Sequence, residues 1–160
     1  MRQKGATIIE LIIYTALMLS LVVVLTDIFS SILSKNKESV SLSEVEIDGK
    51  YISQRLLTQV ALATSISTPS NLGDTSNSIV FSINSSNYSY YLTGVNLFLN
   101  DGVTSERLNS YGTEVSNFTI KKLGNSGGKP ILKISFTVKS TILQPNGNEQ
   151  HSFDLTVGTR

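Results

Sequence analysis

One carboxylate, Glu10, stands at the head of the stretch ELIIYTALMLSLVVVL, and every residue from Leu11 to Leu25 is uncharged. A carboxylate held at mid-depth in hydrocarbon costs about 2.5–3.5 kcal/mol, and less near the interface. The chemistry open to it is ion pairing, because two opposite charges in a low dielectric attract strongly while each alone is costly to bury. The other reactive residues are scattered. His151 is the sole histidine and there is no cysteine, which excludes disulfides, thiolate catalysis and Cys-based metal sites. His151 and Asp154 share a predicted strand at odd spacing, so they face opposite ways and cannot build a Ser-His-Asp arrangement. Asp74, Asp101, Glu106 and Glu114 fall in predicted loops; Asp101 and Glu106 are the nearest approach to a calcium pair, without EF-hand spacing. No Walker lysine, G-x-G-x-x-G or H-E-x-x-H occurs. The chain reads as a non-enzyme without cofactor or metal.

The element that must position Glu10 is a helix. Counted from Ala6 to Thr26 it spans about 31 Å, enough for a hydrocarbon core of about 30 Å. Tyr14, Thr15 and Ser20 are tolerable in such a span. Arg2 and Lys4 precede it, so the amino terminus is expected in the cytoplasm and the rest of the chain outside. A cleaved secretory signal would have a shorter apolar core followed by a small-residue cleavage site, and VVVLTDIFSS supplies none. A plain signal anchor fits the length and charge but leaves Glu10 without a reason.

The pattern G-x-T-x-x-E, with a short basic leader ending in Gly5, Ala6 after it, Glu10 five residues into the remaining chain and an unbroken apolar helix behind, resembles the type IV pilin and pseudopilin family. The resemblance implies that a prepilin peptidase cuts between Gly5 and Ala6 and methylates the new terminus. It implies a subunit that waits in the cytoplasmic membrane and is then added to an extracellular or periplasmic filament, with other pilin-like subunits as partners. Most members carry Phe where this chain has Ala6. The proline that kinks many major pilins is missing, and Asp27 lies near its place. Within this resemblance Glu10 acquires a role. It pairs with the amine of Ala6 on a neighbouring subunit, which stays cationic near neutral pH, and so fixes axial register, as a buried polar residue does in a coiled coil. An amine and carboxylate of one subunit, about a turn apart, can also satisfy each other before assembly. Loss of Met1 to Gly5 removes Arg2 and Lys4 and takes the formal charge from +1 to −1.

Beyond the membrane, apolar residues recur at helical spacing: Ile28, Ile32, Val45, Ile52, Leu56, Val60 and Ala63. Lys35, Lys37, Glu38, Glu44, Glu46 and Asp48 form a wet face. Gly49 is a point where the helix can bend or break. Pro69 ends it, with Ser67 to Ser70 as the exit, so a helix to Ile66 is expected. The rest alternates. SIVFSI (78–83), YSYYLT (88–93), VNLFLN (95–100), VSNFTIKKL (115–123), PILKISFTVKSTIL (130–143) and HSFDLTV (151–157) read as strands. Asn84 to Asn87, Asn100 to Gly102, the Gly-rich Gly124 to Pro130 and QPNGN are turns or loops. In the long strand Leu132, Ile134, Phe136, Val138 and Ile142 face in, and Lys133, Ser135, Thr137, Lys139 and Thr141 face out. Short turns make the sheet antiparallel with one wet face.

The expected fold is therefore α+β and pilin-like: leader 1–5, membrane and assembly helix 6–27, amphipathic helix 28–68, antiparallel sheet 69–160. The strand succession is similar to that of the minor pseudopilins near a filament tip, including the type II secretion J-type and competence F-type subunits. A minor, priming or tip role is favoured by Ala6 and the larger sheet. Nucleic acid is the weakest candidate partner. Lys121, Lys133 and Lys139 share exposed strand positions, but a solvated face that blunts edge pairing accounts for them. Tyr88, Tyr90 and Tyr91 read as sheet packing. The rival from another class is a membrane-anchored, adhesin-like binding module that keeps its leader and does not polymerise.

Overall fold

The computed structural model describes residues 7–125, 128–144 and 147–159. One helix, α1 (Ile8–Ala61), precedes nine strands: β1 (Ser65–Thr68), β2 (Thr75–Ser76), β3 (Ser78–Ile83), β4 (Ser86–Thr93), β5 (Asn96–Asn100), β6 (Ser105–Arg107), β7 (Thr113–Leu123), β8 (Ile131–Ser140) and β9 (Gln150–Gly158). The chain is α+β. It divides into two compact units, Met1–Glu38 and Ser39–Arg160.

In the second unit the strands form two antiparallel sheets rather than the single sheet expected. Sheet A has the order β1-β3-β4-β5-β6 and sheet B the order β2-β7-β8-β9. One apolar core serves both. Val45, Ile52, Leu56 and Val60 of α1 pack with Ile79, Phe81, Tyr90, Leu97 and Leu99 of sheet A and with Val115, Ile120, Leu132, Ile134, Phe136 and Val138 of sheet B. The period-two pattern of β8 puts Leu132, Ile134, Phe136 and Val138 inward, as the sequence predicts. Ile142 departs from it. β8 stops at Ser140, whose Oγ accepts the Ile142 amide at 3.1 Å, and Ile142 is only half-buried.

The helix ends earlier than its apolar spacing predicts. At Leu62 and Ala63 the amides turn back to Gln59 and Val60, three residues away, which tightens the last turn. Thr64 then gives its amide and its hydroxyl to Ser82 O, both at 2.9 Å. The run from Thr64 to Thr68 is β-branched and hydroxylic, which suits an edge strand better than a helix, and it becomes β1 against β3. Lys122 closes this exit by donating its ammonium to the carbonyls of Ile66, Pro69 and Ser70 at 3.4, 3.1 and 2.8 Å.

Gly49 does not break α1. A Cβ there would lie 2.0 Å from the tip of the Phe153 ring, so the residue exists to let β9 approach the helix. The β3–β4 turn is shorter than expected. Asn84 and Ser85 alone hold positive φ (49° and 69°), the signature of a two-residue type I′ turn, and β4 starts at Ser86. In β7 the register shifts between Ser116 and Thr119 with Asn117 at φ 53°. That bulge lets Val115, Phe118 and Ile120 all face the core.

Candidate membrane and assembly segment

Thr7 and Glu10 open the helix together. The Thr7 carbonyl accepts the amides of Glu10 (3.0 Å) and Leu11 (3.2 Å), and the Thr7 amide donates back to Glu10 Oε2 at 3.4 Å. With Thr7 before the first helical residue and Glu10 three further on, this is one arm of a capping box. The carboxylate also sits at the positive end of the helix dipole. Reading Glu10 only as an ion-pairing group missed this local role, although T-x-x-E is its sequence signature. Gly5 and Ala6, the expected processing positions, lie outside the described residues.

Behind Glu10 the helix is apolar on every side and exposed among the described residues. Ile8 is 82% exposed and Leu25 54%, and no residue of its most apolar 18-residue window is buried. By length and composition it is long enough and apolar enough to cross a membrane. Its few hydroxyls suit that solvent. Thr15 donates to Ile12 O (2.9 Å), Ser20 to Leu17 O (2.8 Å) and Thr26 to Val22 O (2.8 Å), so each is satisfied by its own helix. Exposed polar residues return from Asp27 onward, and at Lys35 the pKa is raised by its hydrogen bond to Glu38 at 2.7 Å.

The remaining ionisable candidates are not brought together. Asp74 accepts the Asn71 amide at 3.0 Å and closes its own turn. Asp101 does the same for the β5–β6 loop, where the amides of Thr104 (2.6 Å) and Val103 (2.9 Å) hold its pKa down. Glu106 and Glu114 lie in strands β6 and β7, not in loops. β6 is too short and polar to show as a strand in the sequence, and β7 begins two residues before the strand expected from Val115. Glu106 points at Arg55 across 4.0 Å, and the two share a cleft with Gln59, Tyr88 and Asp101. Among the described residues no three His, Cys, Asp or Glu side chains form a metal-binding group. Lys121 and Lys133 are direct cross-strand partners, whereas Lys139 lies six residues along β8, about 20 Å from Lys133, and opposite Glu114.

His151 and Asp154 do take opposite faces of β9. His151 stacks on Phe153 (4.9 Å) and meets Glu46 of α1, with Nδ1 and Oε1 2.9 Å apart. Glu46 also accepts Lys50 Nζ at 2.8 Å, and that hydrogen bond is the main reason its pKa is lowered. A depressed carboxylate stabilises the fold above its unfolded pKa, near 4.5, and the contribution disappears as pH falls through the folded value. Glu46→Gln should therefore lower the melting temperature at neutral pH, and the difference from the parent should vanish toward about pH 3. Thermal unfolding of the full chain in detergent across that range checks it; a difference that persists in acid would assign the effect to packing.

No family model, curated protein or solved structure matches the chain.

Proposed function

We propose that the chain is a structural subunit, a minor pilin or pseudopilin, of a type IV pilus-like filament. The observation that carries the reading is an exposed, uncharged apolar run from Leu11 to Leu25 with a carboxylate, Glu10, in the first turn of its helix. A soluble domain would bury such a surface, and an anchor alone would not need the acid. Prepilin peptidase cuts between Gly5 and Ala6, the freed amine is methylated, and Glu10 of the next subunit receives it. The amino terminus faces the cytoplasm and the domain from Ser39 onward lies outside, first at the membrane and then on the filament.

Intact-mass measurement of the protein isolated from its native membrane tests this. The expected species begins at Ala6 and carries one methyl group. A species that retains Met1 to Gly5 in cells with an active prepilin peptidase would replace the proposal with the non-polymerising surface module.

A further inference from the structure

The solvent-side face of sheet A carries a row of aromatic rings that the core does not use. Tyr90, Leu97 and Leu99 point into the core, so their neighbours Tyr91 and Phe98 point away from it. Tyr91 and Phe98 are register partners and stack at 5.8 Å. Phe98 is in turn the register partner of Arg107, whose guanidinium lies 4.6 Å over the ring of Tyr111. The row crosses three strands and the loop after β6, roughly 14 Å at about 4.8 Å per step.

Cross-strand packing explains Tyr91 and Phe98. It does not explain Tyr111, which is 91% exposed. The loop that holds it is firmly braced. Asn109, itself buried, accepts the Leu97 amide at 3.0 Å and donates to Thr113 O at 2.7 Å. Asp48 of α1 accepts the Ser110 amide at 2.7 Å and the Thr113 hydroxyl. Arg107 itself donates to Ser110 O at 2.5 Å. The backbone on either side of this exposed ring is thus held by a network that includes buried Asn109 and Thr113, the pre-organisation expected of a binding surface.

The register also fixes what surrounds the row: Ser78, Ser89, Thr93, Asn96, Asn100 and Ser105 occupy the same face. These are neutral donors and acceptors. The strand positions of this face carry no carboxylate and a single cation, Arg107; Asp48 and Glu44 of α1 stand beside the loop that holds Tyr111. We propose that it binds a glycan. The C–H face of a sugar ring packs on the negative face of an aromatic ring, hydroxyl and amide side chains meet its hydroxyls, and Arg107 accommodates a uronate or other acidic substituent at one end. A single-stranded nucleic acid would also stack on the rings, but it requires cations along the whole track, and the register places one. This inference does not depend on filament assembly.

The test uses the full chain in a detergent without a sugar headgroup, on an array of neutral and uronic-acid oligosaccharides, with a twelve-residue oligothymidylate as the nucleic-acid probe. Retention of an oligosaccharide is expected, weakened at least tenfold by Tyr111→Ala and unchanged by Lys133→Ala on sheet B. Tyr111 is exposed, so its removal spares the fold, which circular dichroism verifies. No retained oligosaccharide, retention indifferent to Tyr111→Ala, or retention of the oligothymidylate alone would overturn the proposal.

Discussion

Glu10→Ala should leave the chain in the membrane and remove it from filaments. Insertion is driven by the apolar residues from Leu11 to Leu25, and removing a carboxylate from their border makes it easier. Under the proposed assembly, the methylated amine loses the carboxylate that pairs with it and would be buried uncompensated, a cost of several kcal/mol. That is enough to reduce incorporation well over a hundredfold, since each 1.4 kcal/mol is a factor of ten. The capping bond to the Thr7 amide offers a competing explanation, and Glu10→Gln separates the two. Glutamine serves a capping box as glutamate does, so a capping role predicts that Gln restores assembly. The ion pair predicts that Gln fails as Ala does. Quantifying the subunit in sheared filaments against the membrane fraction decides between them, and normal incorporation of Glu10→Ala would end the role given to the carboxylate.

Gly49→Ala should destabilise the second unit, although alanine is the better helix former by about 0.8–1 kcal/mol. The new methyl would overlap three atoms of the Phe153 ring, at 2.0, 2.1 and 2.7 Å. The ring cannot turn aside freely, because Phe136 stacks on it at 5.3 Å and His151 at 4.9 Å. Overpacking of this kind costs about 1–3 kcal/mol, so after the propensity gain a net loss of up to about 2 kcal/mol is expected. Phe153→Leu should relieve it. In a double-mutant cycle the two changes together should cost less than their sum by at least about 0.5 kcal/mol. Additive behaviour in thermal unfolding would show that the close approach at Gly49 is not what holds β9 against α1.

The α+β class and the strands of the second unit's middle were legible because alternation and turn chemistry agree there. SIVFSI, the turn after it and the in-out order of β8 follow from period two and from residues that tolerate positive φ. What stayed hidden had physical reasons. β1, β2 and β6 are two to four residues long and mostly hydroxylic or charged, so they exist only because a neighbouring strand offers them a ladder. Gly49 reads as a helix breaker because propensity is local, while its use is a contact with a ring more than a hundred residues away. The division into two sheets is equally invisible, since each strand buries one face whichever sheet it joins. At the amino terminus the apolar run and Glu10 stood out at once, whereas the bond from Thr7, though T-x-x-E signals it, was overlooked beside the ion-pairing role.

The self-satisfied hydroxyls of Thr15, Ser20 and Thr26 bear on how a second helix would lie alongside. Having spent their protons on their own backbone, they have no hydrogen left to donate to a neighbour, and hydrocarbon side chains slide past one another with little preference for any one offset. If the chain assembles as proposed, sideways cohesion along this segment is broad and forgiving, and alignment falls to Glu10 at its head. A bundle built that way would stretch or twist without dissolving, provided the lock at its end stays shut.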